Sequence, residues 1–211
     1  MTAETDRHFG PVASVVLAGG LARRMGGGDK PLTELAGRPL LDHVLARIRP
    51  QAAHIAINAN GDAARFARWK LPVVPDTIDG FPGPLAGVLA GLDWAATLAP
   101  RPRWLLSVPS DAPFLPNDLV ERLEESVSAT KTEMACAWSG GRTHWVVALW
   151  PLSMREALRR ALVDEHLRKV EDWVERHRFA LAEWRDDPLD PFLNVNTQDD
   201  LAAAERLVSP H

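Results

Sequence analysis

Val12-Ala13-Ser14-Val15-Val16-Leu17-Ala18 runs directly into Gly19-Gly20 near the start of a chain of 211 residues. A short β-branched run that stops at glycines reads as a buried parallel strand feeding a loop. Residues 55–58, 71–74, 103–108, 133–138 and 145–150 are further short runs of aliphatic and aromatic side chains, and each predicts a strand. Residues 39–49, 85–98 and 119–127 repeat their apolar positions at helical spacing. Parallel neighbours need crossover connections, so this alternation predicts an α/β fold: a Rossmann-like three-layer sandwich with a mostly parallel central sheet. Residues 133–138 and 145–150, joined by Ser139-Gly140-Gly141-Arg142-Thr143-His144, read as an antiparallel excursion, which makes the expected sheet mixed. The Pro-rich stretches are too short to be linkers, so residues 12–208 are expected to form a single domain behind an N-terminal extension, 1–11.

Composition narrows the function. With 46% hydrophobic residues the chain can bury one substantial core. Twenty-four Lys and Arg against 28 Asp and Glu give a net charge of -4, without the basic excess that holds proteins to nucleic acid, and small ligands are expected instead. The single cysteine, Cys136, lies in the apolar run Met134-Ala135-Cys136-Ala137-Trp138 and reads as a buried, inert thiol. One cysteine makes no disulfide framework, which fits a reducing cytoplasm. The first ten residues carry no apolar signal segment, and no apolar run is long enough to span a membrane. Eight tryptophans without a tyrosine suggest base-stacking platforms, but most fall within helical or strand patterns and read as packing. Basic clusters at 155–160 and 168–178 interleave with Glu and Asp, as solvated helix faces do.

The chemistry concentrates after the first strand, in Leu17-Ala18-Gly19-Gly20-Leu21-Ala22-Arg23-Arg24-Met25-Gly26-Gly27-Gly28-Asp29-Lys30. Glycines let backbone amides approach a ligand and form an anion-binding concavity, and Arg23 or Arg24 with Lys30 adds positive charge. Together they suggest a triphosphate cradle; the alternative is a glycine loop whose charges are merely solvated. Pro31 after Lys30 excludes a P-loop, and no G-x-G-x-x-G follows the strand. Asn58, Asp76 and Asp111 each fall at or just beyond the end of an expected strand, the edge where this architecture binds ligands. Asp111, fixed ahead of Pro113, is suited to hold a hard cation beside phosphate oxygens, or else to cap a helix starting near Pro116.

Leu17-Ala18-Gly19-Gly20, Arg23 to Gly26 and Asp29-Lys30 resemble the signature of the molybdenum cofactor guanylyltransferases, within the GT-A-like nucleotidyltransferases and their nucleotide-diphospho-sugar transferase fold. The likeness continues in order through Asn58-Ala59-Asn60, Pro75-Asp76, Pro82-Gly83-Pro84-Leu85-Ala86-Gly87, Pro109-Ser110-Asp111-Ala112-Pro113-Phe114 and Asn194-Val195-Asn196-Thr197. It implies a Mg2+-dependent enzyme that transfers GMP from GTP to the terminal phosphate of molybdopterin and releases pyrophosphate. It further implies GTP contacts at Leu17, Ala18, Gly19, Gly20, Lys30, Asn58, Asp76 and Asp111, with Lys30, Asp111 and Arg24 catalytic and Asp111 the metal ligand. Asn194 and Asn196 would meet molybdopterin: alternate residues of an extended segment face one way, and amides suit a pterin's donors and acceptors. Thr197 with Asp200 reads instead as a capping box.

Relatives often carry proline after the histidine of the second half, whereas this chain has His144-Trp145, which leaves acceptor contacts of Arg142 and His144 open. Cytidylyl-transferring relatives resemble Leu-Ala-Ala-Gly where this chain has Leu-Ala-Gly-Gly, which favours guanylyl transfer. The competing readings are a molybdopterin cytidylyltransferase, a sugar-phosphate nucleotidyltransferase, and a non-catalytic nucleotide-binding regulator or cofactor carrier. Expected partners are GTP, molybdopterin and molybdoenzyme-maturation proteins, with neither nucleic acid nor membrane, for a monomer or weak homo-oligomer.

Overall fold

The computed structural model describes residues 11–19, 29–78, 80 and 83–208; most of the expected N-terminal extension, and Gly20, Arg23 and Arg24 of the glycine loop, lie outside them. The opening run forms strand β1, Val12–Leu17, with all but its last residue fully buried. A small hairpin, β2 (Glu34–Leu35) and β3 (Arg38–Pro39), leads into helix α1, Leu40–Ile48, whose Leu41, Val44, Leu45 and Ile48 face the core at the predicted spacing. The chain continues through β4 (His54–Asn58), β5 (Val73–Val74), α2 (Pro84–Ala95), β6 (Trp104–Pro109) and α3 (Leu119–Thr130). The second half adds β7 (Met134–Ser139), β8 (Arg142–Pro151), α4 (Arg155–Val163), α5 (Val170–Val174), β9 (Phe179–Glu183) and α6 (Gln198–Val208).

Seven strands make one sheet in the order β5-β4-β1-β6-β8-β7-β9. Neighbouring pairs are parallel except those of β8, which runs against both β6 and β7, so the sheet is mixed as expected. Helices α1 and α3 cover one face, and α2, α4 and α5 cover the other. The strands feed both layers by alternation: Val12, Val16, Leu106 and Val108 point to the first, Ala13, Val15 and Leu105 to the second. Trp104, Trp150 and Trp173 are buried packing residues, and Cys136 is fully buried with its thiol pushed up to about 12 by desolvation.

Three details depart from the expectation. The loop between β7 and β8 is a two-residue turn at Gly140 and Gly141, whose φ values of +54° and +74° match the primed turns of tight hairpins. Strand β8 therefore begins at Arg142 and includes His144. Helix α2 stops at Ala95 rather than continuing to residue 98, and α3, which begins at Leu119 as expected, runs on to Thr130 with Asp118 rather than Asp111 as its cap residue. Strand β9 was not foreseen, because its pattern is inverted: small Ala180 and Ala182 point inward, while Leu181 is 47% exposed.

Strand β1 is flanked by β4, reached through α1, and by β6, reached from the far side through α2. The chain thus reverses direction across the sheet at β1, and a crevice opens beyond the carboxyl ends of β4, β1 and β6.

Candidate functional site

A cavity of about 450 Å3 occupies this crevice, a size typical of small-ligand sites. Its floor is the end of β1, with Leu17 and Gly19, and the β6 extension Pro109-Ser110-Asp111. The Ser110 amide donates to the Leu17 carbonyl at 3.1 Å and the Ala18 amide to the Asn58 carbonyl at 2.8 Å, so the loops leave the sheet in fixed register. Of the residues expected to present backbone to a nucleotide, Leu17 and Gly19 line the cavity. Ala18 instead packs into the core under the α1 and α3 layer, with its amide already used. Gly20 and Arg24 lie outside the described residues.

One wall is a carboxylate held by amides. Asn58 Nδ2 donates to Asp76 Oδ1 at 2.9 Å and to the Val74 carbonyl at 3.1 Å. Asn60 Nδ2 donates to Asp76 Oδ2 at 2.8 Å, and the Asp76 amide returns a bond to Asn60 Oδ1 at 2.9 Å. Asp76 is thereby more than a turn residue: both oxygens are oriented, and it lines the cavity with both asparagines. Asn60 belongs to this group although only Asn58 was singled out from sequence; its position two residues on, in Asn-Ala-Asn, was the available signal. Asn58 spends its donors on Asp76 and Val74, so its direct effect is to set the Asp76 carboxylate.

Gly87 of α2 is a second residue that sequence reasoning quoted without giving a role. A Cβ there would stand 2.3 Å from Asn58 Oδ1 and 2.8 Å from Leu17 Cδ2. The absent side chain lets α2 press onto the wall that carries Asn58.

A second group of lining residues is built on Lys30 and Asp111. Lys30 opens a short 3-10 turn with the buried Pro31, and Asp29 before it is tied to Arg65 by an ion pair of 2.9 Å. So anchored, the Lys30 ammonium contacts both Asp111 Oδ2 and Asn196 Oδ1. Asp111 is buried, its carbonyl accepts from the Val195 amide at 2.9 Å, and its Oδ1 is buried without a hydrogen-bond partner among the described residues. Such an orphaned carboxylate oxygen beside a cavity fits a cation ligand. The described residues contain no group of three or more His, Cys, Asp or Glu able to hold a metal by themselves. A cation here would take one protein carboxylate and draw its other ligands from phosphates and water, as Mg2+ does.

Asn194 lines the cavity and Asn196 reaches Lys30, while Val195 between them is fully buried with Leu35, Leu40 and Ala204. The alternation expected of an extended segment is present. Asp200 Oδ2 accepts from the Thr197 amide at 2.9 Å and the Asp200 amide donates to Thr197 Oγ1 at 3.1 Å, the reciprocal pair of a capping box at the start of α6. Arg142 and His144 do not line the cavity; from β8 it is Val146 that does.

The profile of the MobA-like NTP transferase domain matches residues 14–179. The molybdenum cofactor guanylyltransferase of Rhodopseudomonas palustris (strain BisB5) is 56% identical, over 92% of this chain and 92% of its own length. That of Bradyrhizobium sp. (strain ORS 278) is 54% identical over 94% of this chain and 93% of its own. Among solved structures, the molybdopterin-guanine dinucleotide biosynthesis protein A of Archaeoglobus fulgidus superposes with a TM-score of 0.73, covering 92% of this chain and 97% of its own, at 22% identity. At that identity the superposition speaks for the fold alone, and the mixed three-layer sandwich is the shared feature. The profile spans most of the sheet and the sequence identity extends over nearly the whole chain, so the chain belongs to the MobA-like NTP transferase family, alongside the molybdenum cofactor guanylyltransferases it matches.

Proposed function

We propose that this protein transfers GMP from GTP to the terminal phosphate of molybdopterin and releases pyrophosphate. One observation carries the reading: the Lys30 ammonium touches both Asp111 and Asn196, so the phosphate-loop lysine, the candidate metal carboxylate and the acceptor segment meet beside one cavity. The 56% identical relative bears the name of this activity.

In the reaction an oxygen of the acceptor phosphate attacks the α-phosphorus of GTP in line. The bond from that phosphorus to the α,β-bridging oxygen breaks, and pyrophosphate leaves with the electron pair. No enzyme nucleophile is needed. Both reactants are anions, so the protein acts by holding them together and offsetting charge on the phosphate oxygens. Lys30, held against Asp111 beside the cavity, supplies a positive charge to the phosphates. Asp111 would hold the divalent cation, Mg2+ in our reading, through the carboxylate oxygen that is otherwise orphaned. When bound, that ion withdraws charge from the phosphate oxygens.

Asp76, held by Asn58 and Asn60, presents acceptors to the adjacent N1–H and 2-amino donors of guanine, a pair that cytosine lacks. Backbone at Leu17 and Gly19 closes around the nucleotide, Gly20 and Arg24, outside the described residues, are assigned to it from the sequence resemblance alone, and Asn194 with Asn196 meets the pterin. The test is pyrophosphate release on mixing protein, Mg2+, GTP and molybdopterin, omitting each component in turn and replacing GTP by CTP. Release that needs all four supports the proposal. Equal release with CTP points to cytidylyl transfer, and binding without release to a carrier.

A further inference from the structure

The residues left over from the cavity form a cluster of their own on its flank. Ser139, at the end of β7, is fully buried, and its Oγ lies 2.7 Å from Asp190 Oδ1 and 2.7 Å from His144 Nε2. Arg142 Nη2 donates to Asp190 Oδ2 at 3.1 Å, and the Phe192 amide donates to Asp190 Oδ1 at 2.9 Å. A serine hydroxyl has one proton to give. If it goes to the carboxylate, the same oxygen accepts from His144, whose proton then sits on Nε2. Burial lowers the His144 pKa, with Asp190 opposing and Arg142 assisting, so a neutral ring fits this arrangement. Burial works to raise Asp190, but the bonds from Ser139, Phe192 and Arg142 outweigh it and hold the carboxyl below its ordinary value.

Although serine, histidine and aspartate meet here, the order is wrong for a nucleophile. The serine lies between the other two, and no solvent or substrate reaches it. The cluster points elsewhere. The His144 ring packs on Phe192 with centroids 4.6 Å apart, and Phe192, itself buried, meets Trp184 edge-on at 5.2 Å. Two residues further on stands Asn194 on the cavity wall, followed by Val195, whose amide is tied to the Asp111 carbonyl. Asp190 and Phe192 therefore fix one end of the segment carrying Asn194 and Asn196, and the capping box at Thr197 and Asp200 fixes the other.

We propose that Asp190, Ser139, His144 and Arg142 are positioning residues for the acceptor: the β7–β8 hairpin grips Asp190 and Phe192 and so sets where Asn194 and Asn196 present their amides. This rests on the acceptor reading of those asparagines. It also gives Arg142 and His144 a role without direct contact.

Steady-state kinetics with GTP and molybdopterin varied separately, with melting curves as a control, test the assignment. Asp190→Ala should raise the KM for molybdopterin about 10- to 100-fold, the scale of a reactant displaced by roughly 1 Å, and leave the KM for GTP within about two-fold. Asp190→Asn keeps acceptors for Ser139 and Phe192 and should recover most of the loss. Ser139→Ala, a smaller change, should shift the molybdopterin KM in the same direction and serves if Asp190→Ala does not fold. Asn194→Ala distinguishes the two levels. If it raises the molybdopterin KM while Asp190→Ala and Ser139→Ala do not, the positioning role is wrong and the acceptor reading stands. If Asn194→Ala leaves that KM unchanged, the acceptor assignment falls and takes the positioning role with it. Parallel rises in both KM values would also overturn the proposal, as a general loosening of the fold.

Discussion

Replacing Gly87 by alanine sets two effects of opposite sign against each other. Gly87 lies inside helix α2, where exchanging glycine for alanine ordinarily stabilises by about 0.5–1 kcal/mol. Here the new Cβ would stand 2.3 Å from Asn58 Oδ1, a distance no real contact tolerates, so Asn58 must move by about 1 Å. Asn58 is not free to do so cheaply, since its amide holds the Asp76 carboxylate at 2.9 Å and the Val74 carbonyl at 3.1 Å. Overpacking costs about 1–3 kcal/mol and a weakened charge-assisted bond about 1.5–3 kcal/mol, so strain should win by about 1.5–5.5 kcal/mol net. In a chain of this size that lowers Tm by roughly 3–22 °C. Urea denaturation of a double-mutant cycle with Asn58→Ala isolates the cause. With Asn58 truncated, the remaining close atom is the tip of the flexible Leu17 side chain, 2.8 Å away, and Gly87→Ala should then cost less than about 1 kcal/mol. Equal costs in both backgrounds, or stabilisation in the native one, would refute the reasoning that α2 is pressed against Asn58.

Lys30→Ala should lower turnover by about 10²–10³-fold, the usual effect of losing one charge-stabilising donor, measured as pyrophosphate release at saturating substrates. Normal turnover would remove Lys30 from the phosphate role. Asp111→Asn keeps shape but weakens cation binding, so its activity should fall and partly return as Mg2+ is raised; an unaltered Mg2+ requirement counts against the metal role. Glu124 on α3 is buried with one oxygen that has no hydrogen-bond partner among the described residues, and desolvation raises its pKa to about 7, with Arg103 partly opposing. The folded state therefore binds this proton more tightly than the unfolded chain. The associated stability is present below the ordinary value of 4.5 and is lost as pH rises through about 7. Glu124→Gln should narrow that loss, gaining roughly 1–3 kcal/mol over wild type at about pH 8 relative to pH 4, read from urea midpoints. A pH-independent difference between the two proteins would show that the carboxyl is not desolvated.

Local patterns were legible where burial leaves a one-dimensional trace. The β-branched run of β1 ending in glycines, the helical spacing of Leu41, Val44, Leu45 and Ile48, and the carboxylates at the strand ends all follow from the sequence and period alone. So does the alternation of Asn194, Val195 and Asn196, since successive residues of any extended segment face opposite ways. Strand β9 was hidden because its inward residues are alanines and its leucine points out, which reverses the hydrophobic signal.

What only the tertiary structure decided is partnership. That Lys30 meets Asn196, that Asn60 joins Asn58 on Asp76, that a side chain at Gly87 would strike Asn58 and that Ser139 links His144 to Asp190 all depend on distant segments brought together by strand order and register. A sequence records burial wherever apolar side chains repeat at a helical or strand period. It carries no comparable record of which polar group lies opposite another, because that is fixed when the sheet closes and each buried donor must find an acceptor in three dimensions.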